Sequence, residues 1–323
     1  MHKTLAFTAA LLASTIAARA ETVINVAHVL GDTSSYQVTA ERLAELVAER
    51  SNGEMKIEIF GSSALGGELR LAQGLRSGTV DIAFVSTASL EGIIPETKIF
   101  ALPYLFDSKQ STYDILASDL GTELLATFAN YDIIGLGWGA IYERSMPSMR
   151  PVETLADLDG MKIRTIQSTG YVAAYEALGM QPTPLAYGEL FLALEAGIVD
   201  AAELAPDQTV GDGFAQAIGH YALTRVHMLP APLLGAPALM NRLTDAETEI
   251  LMGAIPEALQ AGIDAHNAAT DAALETMRAN GIVVTEPDLA PFREAARTAW
   301  PVIVAELPGG EETLAKWQAA IAE

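Results

Sequence analysis

Arg164 is the residue whose setting asks for chemistry. It sits in the short β-like run MKIRTI (161–166), where Met161, Ile163 and Ile166 surround it, and Ser168, Thr169, Gly170 and a small amphipathic helix ending at Gly179 follow. A guanidinium is a planar fork of donors that can hold a carboxylate through two parallel hydrogen bonds. A helix starting just after Ser168 would add free N–H groups and the positive end of a dipole. Together these features describe a grip for an anion. On position alone, an ion pair with Asp157 or Asp159 explains Arg164 equally well.

Other chemistries lack their residues. There are no cysteines and only five histidines, so thiolate metal sites and disulfides are excluded. His220 and His227 are seven apart, not the four of a helical zinc pair. No Gly-x-Ser-x-Gly, no His-Glu-x-x-His and no phosphate-cradling Gly-Lys-Ser/Thr occurs. GLGWGA (135–140) hints at a dinucleotide fingerprint, but Glu143, Arg144 and Pro147 stand where its helix should begin. Acid pairs such as Glu68 with Asp81 leave an exported enzyme open, with capping or solvated carboxylates as the plainer account. No cofactor and no metal is called for.

The elements that must position Arg164 come in a repeated order. The runs 23–29, 55–60 and 79–86 read as strands, and the segments between them as helices with apolar residues at helical spacing. This β-α-β-α-β order implies a parallel sheet covered by helices. It returns over 161–205. LRSGTVDIA (75–83) parallels LEAGIVDAA (194–202), and Gly-Glu-Leu opens the preceding helix in both copies. The sequence therefore predicts an α/β protein of two lobes related by pseudo-symmetry. A strand and a crossing segment lie between them (132–160), a return strand follows the second (227–242), and Thr244–Glu247 forms a capping box for a long helix that reaches Asn280. Pro256 should kink or split that helix.

In open parallel sheets ligands sit beyond the carboxyl ends of the strands. That rule selects His28 and Tyr36 after the first strand, Glu68 after the second and Ser86 after the third. In the second lobe it selects Arg164, Tyr187, Leu204 and Asp207.

The chain has 323 residues, long enough for two domains. Residues 1–20 read as a signal peptide: Lys3 opens it, the apolar stretch 5–18 is shorter than the ~20 residues that span a bilayer, and Ala18-Arg19-Ala20 is a small-x-small cleavage site. The mature chain would hold 17 basic against 41 acidic residues, a balance of −24. That argues against nucleic acid and against insertion into anionic membrane surfaces. The mature chain is expected to be exported and soluble.

The chain resembles the solute-binding proteins of tripartite ATP-independent periplasmic (TRAP) transporters, the DctP-type family, over nearly all of 22–300. The likeness is carried by AERLAELVAERSNGEMKIEIF, LGGELRLAQGLRSGTVDIAFVS, FALPYLF, RPVETLADLDGMKIRTIQS, LGMQPTPLAYGELFLALEAGIVDAAE and GIVVTE. The resemblance implies a type II-like periplasmic binding fold, two parallel or mixed sheets with a ligand cleft between lobes, and a spanning helix. It makes Arg164 the chief carboxylate ligand, Arg144 its helper and Tyr187 a pocket wall. It also implies delivery of a small organic anion to the membrane subunits of a TRAP permease; a ligand sensor of a signalling system is the alternative. Where the family has an Asn that touches the ligand this chain has Leu204, and Gly188 replaces the usual Ser. A leucine in the pocket would favour a carboxylate with a hydrocarbon part over a sugar acid. The expected lobes are 21–143 with 229–265, and 144–228 with 266–323.

Overall fold

The computed structural model describes residues 21–322. The leader expected over 1–20 lies outside the described residues. Among the described residues nine strands form one mixed sheet: β1 (Thr22–Ala27), β2 (Met55–Phe60), β3 (Ile82–Phe84), β4 (Ile134–Ser148), β5 (Lys162–Thr165), β6 (Gln181–Pro184), β7 (Ala201–Ala202), β8 (His220–Gly235) and β9 (Val283–Thr285). Their order is β2-β1-β3-β8-β4-β7-β5-β6, with β9 also paired to β8.

The sequence repeat becomes a repeat of topology. In one half β1 lies between β2 and β3, all parallel, and β8 closes the set antiparallel to β3. In the other half β5 lies between β6 and β7, all parallel, and β4 closes it antiparallel to β7. The letter match falls on equivalent turns. Each copy ends its helix at a glycine in the left-handed region, Gly78 at φ +74° and Gly197 at φ +66°, a conformation in which a Cβ would be strained.

The two halves are joined by β4 and β8, which pair antiparallel from Ile134 opposite Gly235 to Ser148 opposite His220, with three register shifts. These strands merge what the sequence suggested as two sheets into one continuous path. The expected boundaries at 143/144 and 228/229 lie on neighbouring rungs of this ladder, where Glu143 faces Met228 and Arg144 faces His227.

The helices start where side-chain acceptors wait. Ser34 accepts from the Gln37 N–H at the head of helix 35–50, Ser168 from Tyr171 N–H before helix 169–177, and Thr244 with Glu247 forms the expected capping box. The helix that follows runs unbroken over Asp245–Ala279 with Pro256 inside it. Pro256 and Met252, one turn earlier, both lie on the exposed face, so water can satisfy the carbonyl that the proline leaves without a donor. Near its middle this helix crosses helix 35–50 so closely that a Cβ on Gly262 would overlap Thr39. Glu257 on its first part accepts from Arg42 and Arg50, while Ala273 and Met277 on its last part pack with Tyr221, Leu223 and Ile282. It thus braces both halves. Among the described residues no helix is long and apolar enough to cross a membrane.

Candidate functional site

Arg164 and Arg144 are two of the largest fully buried side chains in the molecule, and both line one small cavity between the halves. The cavity measures about 20 Å³, room for about one water. Its walls also include Tyr36, Glu68, Ser86, Tyr142, Tyr187 and Gln208. Six of the nine residues selected from sequence therefore meet at one place.

Arg164 reaches it from the end of β5. Its Nε and Nη2 both donate to the Leu185 carbonyl, at 3.0 and 2.8 Å, while Nη1 is buried with no hydrogen-bond partner. Among the described residues no carboxylate forms an ion pair with it. Neither Asp157 nor Asp159 does: Asp157 instead accepts from the backbone of Glu153 and Thr154. Burial pushes the Arg164 pKa down to about 10, against the pull of Glu203 and with a push from neighbouring Arg144.

Arg144, on β4, has the opposite circumstances. Its Nε donates to Glu203 Oε2 at 2.7 Å, Nη2 to the Glu203 carbonyl and Nη1 to Gln208 Oε1. Burial opposes its charge, but the Glu203 carboxylate outweighs that and holds Arg144 above its ordinary pKa.

Glu68 opens helix 68–77 and faces the cavity as a fixed acceptor. Its carboxylate accepts from Ser86 N–H at 2.8 Å, Ser86 Oγ at 2.7 Å and Ser89 Oγ at 2.6 Å. A carboxylate has about four acceptor positions, so roughly one remains. Tyr36 lies flat on Phe84, centroids 4.4 Å apart, and sets one wall. Tyr187 sets the opposite wall, with the Arg164 guanidinium 5.9 Å from its ring centre.

Three of the selected residues lie elsewhere. His28 is wholly buried and its Nε2 pairs with Gln37 Oε1 at 2.9 Å; burial lowers its pKa. Asp207 pairs with His266 Nδ1 at 2.8 Å beside a separate hollow of about 210 Å³. Leu204 packs into an apolar cluster with Leu190, Leu194, Val199 and Phe214, and its backbone bridges to Ser145 in both directions. The side chain is fully buried there and is not part of the cavity wall. The helix start after Ser168 is also taken: Ser168 Oγ accepts from Tyr171 N–H, and Glu91 from the other half accepts from Ser168 Oγ at 2.7 Å and Gly170 N–H at 3.3 Å. Its Gly170 and Tyr171 N–H groups are thus committed within the protein.

Sequence reading missed Tyr142, Gln208 and Glu203. Tyr142 was within reach: it stands two residues before Arg144 on a strand, hence on the same face. Gln208 carried no signal, because its role depends on a helix packing against β4 from sixty-four residues away.

Residues 26–307 match the family described as bacterial extracellular solute-binding protein, family 7. The chain belongs to this family. A solute-binding protein of Verminephrobacter eiseniae is 32% identical over 238 residues, 73% of this chain and 71% of that protein. The sugar acid binding protein DctPAm of Advenella mimigardefordensis, solved with galactonate, superposes with a TM-score of 0.88 at 28% identity, covering 94% of this chain and 98% of that one. A TRAP periplasmic solute-binding protein of Polaromonas, solved with D-erythronate, gives 0.88 at 29% identity over 93% and 99%. The family and these structures are TRAP solute-binding proteins, and the chain is a solute-binding protein for organic anions with the two-lobed architecture of its relatives.

Proposed function

We propose that the chain captures a small hydroxylated monocarboxylate between its lobes in the periplasm, without catalysing any reaction, and hands it to a TRAP-type membrane permease. The observation that carries this reading is Arg164, a buried guanidinium with an unpartnered Nη1 on a small cavity between the halves. A buried charge without its complement is costly, and a ligand carboxylate supplies the complement. Arg144 adds positive field but has its donors committed to Glu203 and Gln208. Glu68 repels a second carboxylate and accepts from a ligand hydroxyl, which favours a hydroxy acid over a dicarboxylate. The case for a hydrocarbon part rested on Leu204 facing the ligand, and the geometry removes that support. The lobes would be 21–143 with 229–265, and 144–228 with 266–323, hinged on β4 and β8. A cavity of about 20 Å³ must open to admit any such acid.

The test is a thermal-shift series with D-galactonate, D-erythronate and succinate on wild type and Arg164→Ala. A ligand at 100 times its dissociation constant stabilises by ~2.7 kcal/mol. Stabilisation of the wild type by a hydroxy acid, lost in the variant, supports the reading; an equal response of both proteins overturns it.

A further inference from the structure

Asp212 lies outside the cavity, at the end of helix 206–211, yet ties the two halves together at its mouth. Its Oδ1 accepts from the Gly31 N–H at 2.8 Å, in the loop after β1, and its Oδ2 accepts from the Tyr187 hydroxyl at 2.5 Å. The approach to Gly31 is close enough that a Cβ there would overlap Asp212 Oδ1. A second hollow of about 390 Å³ lies on the outer side, with Gly31, Ser62 and Ser63 on one flank and Gly188, Phe191 and Phe214 on the other. Tyr187 and Val29 line both this hollow and the inner cavity. The Tyr187 ring is therefore the partition between them, held on the inner side by its place against Arg164 and on the outer side by its hydroxyl. The ring also meets Phe214 edge-on, 5.4 Å between centroids. Burial raises the Asp212 pKa despite the two hydrogen bonds it accepts, as expected of a carboxylate taken from water to make this link.

We propose that Asp212 is the latch of the binding cleft: by joining Gly31 of one lobe to Tyr187 of the other, it holds the Tyr187 ring as the door of the cavity and sets how fast a bound anion escapes. This rests on the reading of the cavity as an anion site. Without the carboxylate, Tyr187 loses its outer anchor and Gly31 its hydrogen bond to the opposite lobe. An asparagine keeps one acceptor for Gly31 and can donate to the Tyr187 oxygen, so it holds the door less tightly but does not release it. Gly31→Ala forces the same link apart from the other side.

The absence of cysteines allows a readout that needs no ligand. Spin labels on Glu45→Cys and Leu192→Cys, both exposed and in opposite lobes, report the inter-lobe distance distribution. Adding Asp212→Ala should shift it towards longer distances, Asp212→Asn less so; thermal melts confirm that each variant folds. With D-galactonate as probe in stopped-flow fluorescence, Asp212→Ala, Gly31→Ala and Tyr187→Phe should each raise the dissociation rate at least tenfold, with association changed less than threefold. An unchanged distance distribution in Asp212→Ala overturns the latch whether or not galactonate binds. Unchanged dissociation in a variant that binds it does so too. Retained binding in Arg164→Ala counts against the anion site instead, and leaves the distance measurement to judge Asp212.

Discussion

Arg144 and Arg164 stand in one cavity, twenty residues apart in sequence and equally hidden from water, and they are different devices. Arg144 is part of the scaffold. Its charge is met by Glu203, its forked end by a carbonyl and an amide, and it welds β4 to the segment after β7. Arg164 is held by one carbonyl and keeps Nη1 without a partner. Burial depth therefore does not distinguish an arginine whose charge is met from one whose charge is not. Compensation does: on the proposed reading, the guanidinium with no carboxylate of its own is the one with binding free energy still to release.

The sharpest way to break this comparison is to remove each arginine and measure stability. Arg144→Met strands the Glu203 carboxylate, whose side chain is fully buried, and should cost ~3–5 kcal/mol in denaturant unfolding. The double variant with Glu203→Met should recover most of it. Arg164→Met strands no charge; it deprives the Leu185 carbonyl of its donors, a loss of ~1 kcal/mol. Equal losses for the two single variants would show that both arginines are structural.

The second test reverses the roles. By calorimetry, Arg164→Ala should weaken hydroxy-acid binding by ~2–5 kcal/mol, the cost of breaking a desolvated charge pair. Arg164→Lys should lose much of this as well, because an ammonium cannot copy the fork. A loss under tenfold in the Ala variant would remove Arg164 as anchor.

How much of this was legible beforehand depends on the range of the interaction. The strands, caps and helix ends are written in local spacing, and the repeat around Gly78 and Gly197 pointed to two halves of related topology. Arg164 was selected for its place at a strand end, which the sheet fixes. Whether Arg164 had a partner was not legible, since that required knowing that Asp157 turns back to cap its own loop. Leu204 was selected by the strand-end rule and by its place in the family pattern, and neither fixes which way a side chain points; β7 has two residues, too few for a period of two to assign faces.

Glu91 extends the comparison to the opposite sign. It is buried between the halves, with hydrogen bonds to Ser168 and Gly170 but no contacting cation among the described residues, and burial lifts its pKa to about 7 from 4.5. The folded state thus keeps a proton that the unfolded chain has released. Stability from this group is fully present below about 4.5 and falls as pH rises to about 7, by ~3 kcal/mol at 1.36 kcal/mol per unit. The difference in unfolding free energy between wild type and Glu91→Gln should follow that slope and level off above it. A difference independent of pH would mean that Glu91 is an ordinary carboxylate.

The smallest expected effect belongs to Leu204, the neighbour of the carboxylate that compensates Arg144. If the contrast between the arginines is right, the segment 203–205 is scaffold: Glu203 holds Arg144, the Leu204 backbone bridges to Ser145, and its side chain seals the cluster around Phe214. Leu204→Val removes one methylene from that cluster and should cost ~1 kcal/mol of stability. It should leave the ranking of hydroxylated and hydrocarbon acids unchanged, because the side chain packs in that cluster and does not line the cavity. Thermal melts and a competition series with D-erythronate and a branched-chain 2-oxo acid read both effects on one preparation. A changed ranking with unchanged stability would put Leu204 on the ligand side after all, and with it the segment that was taken to serve only Arg144.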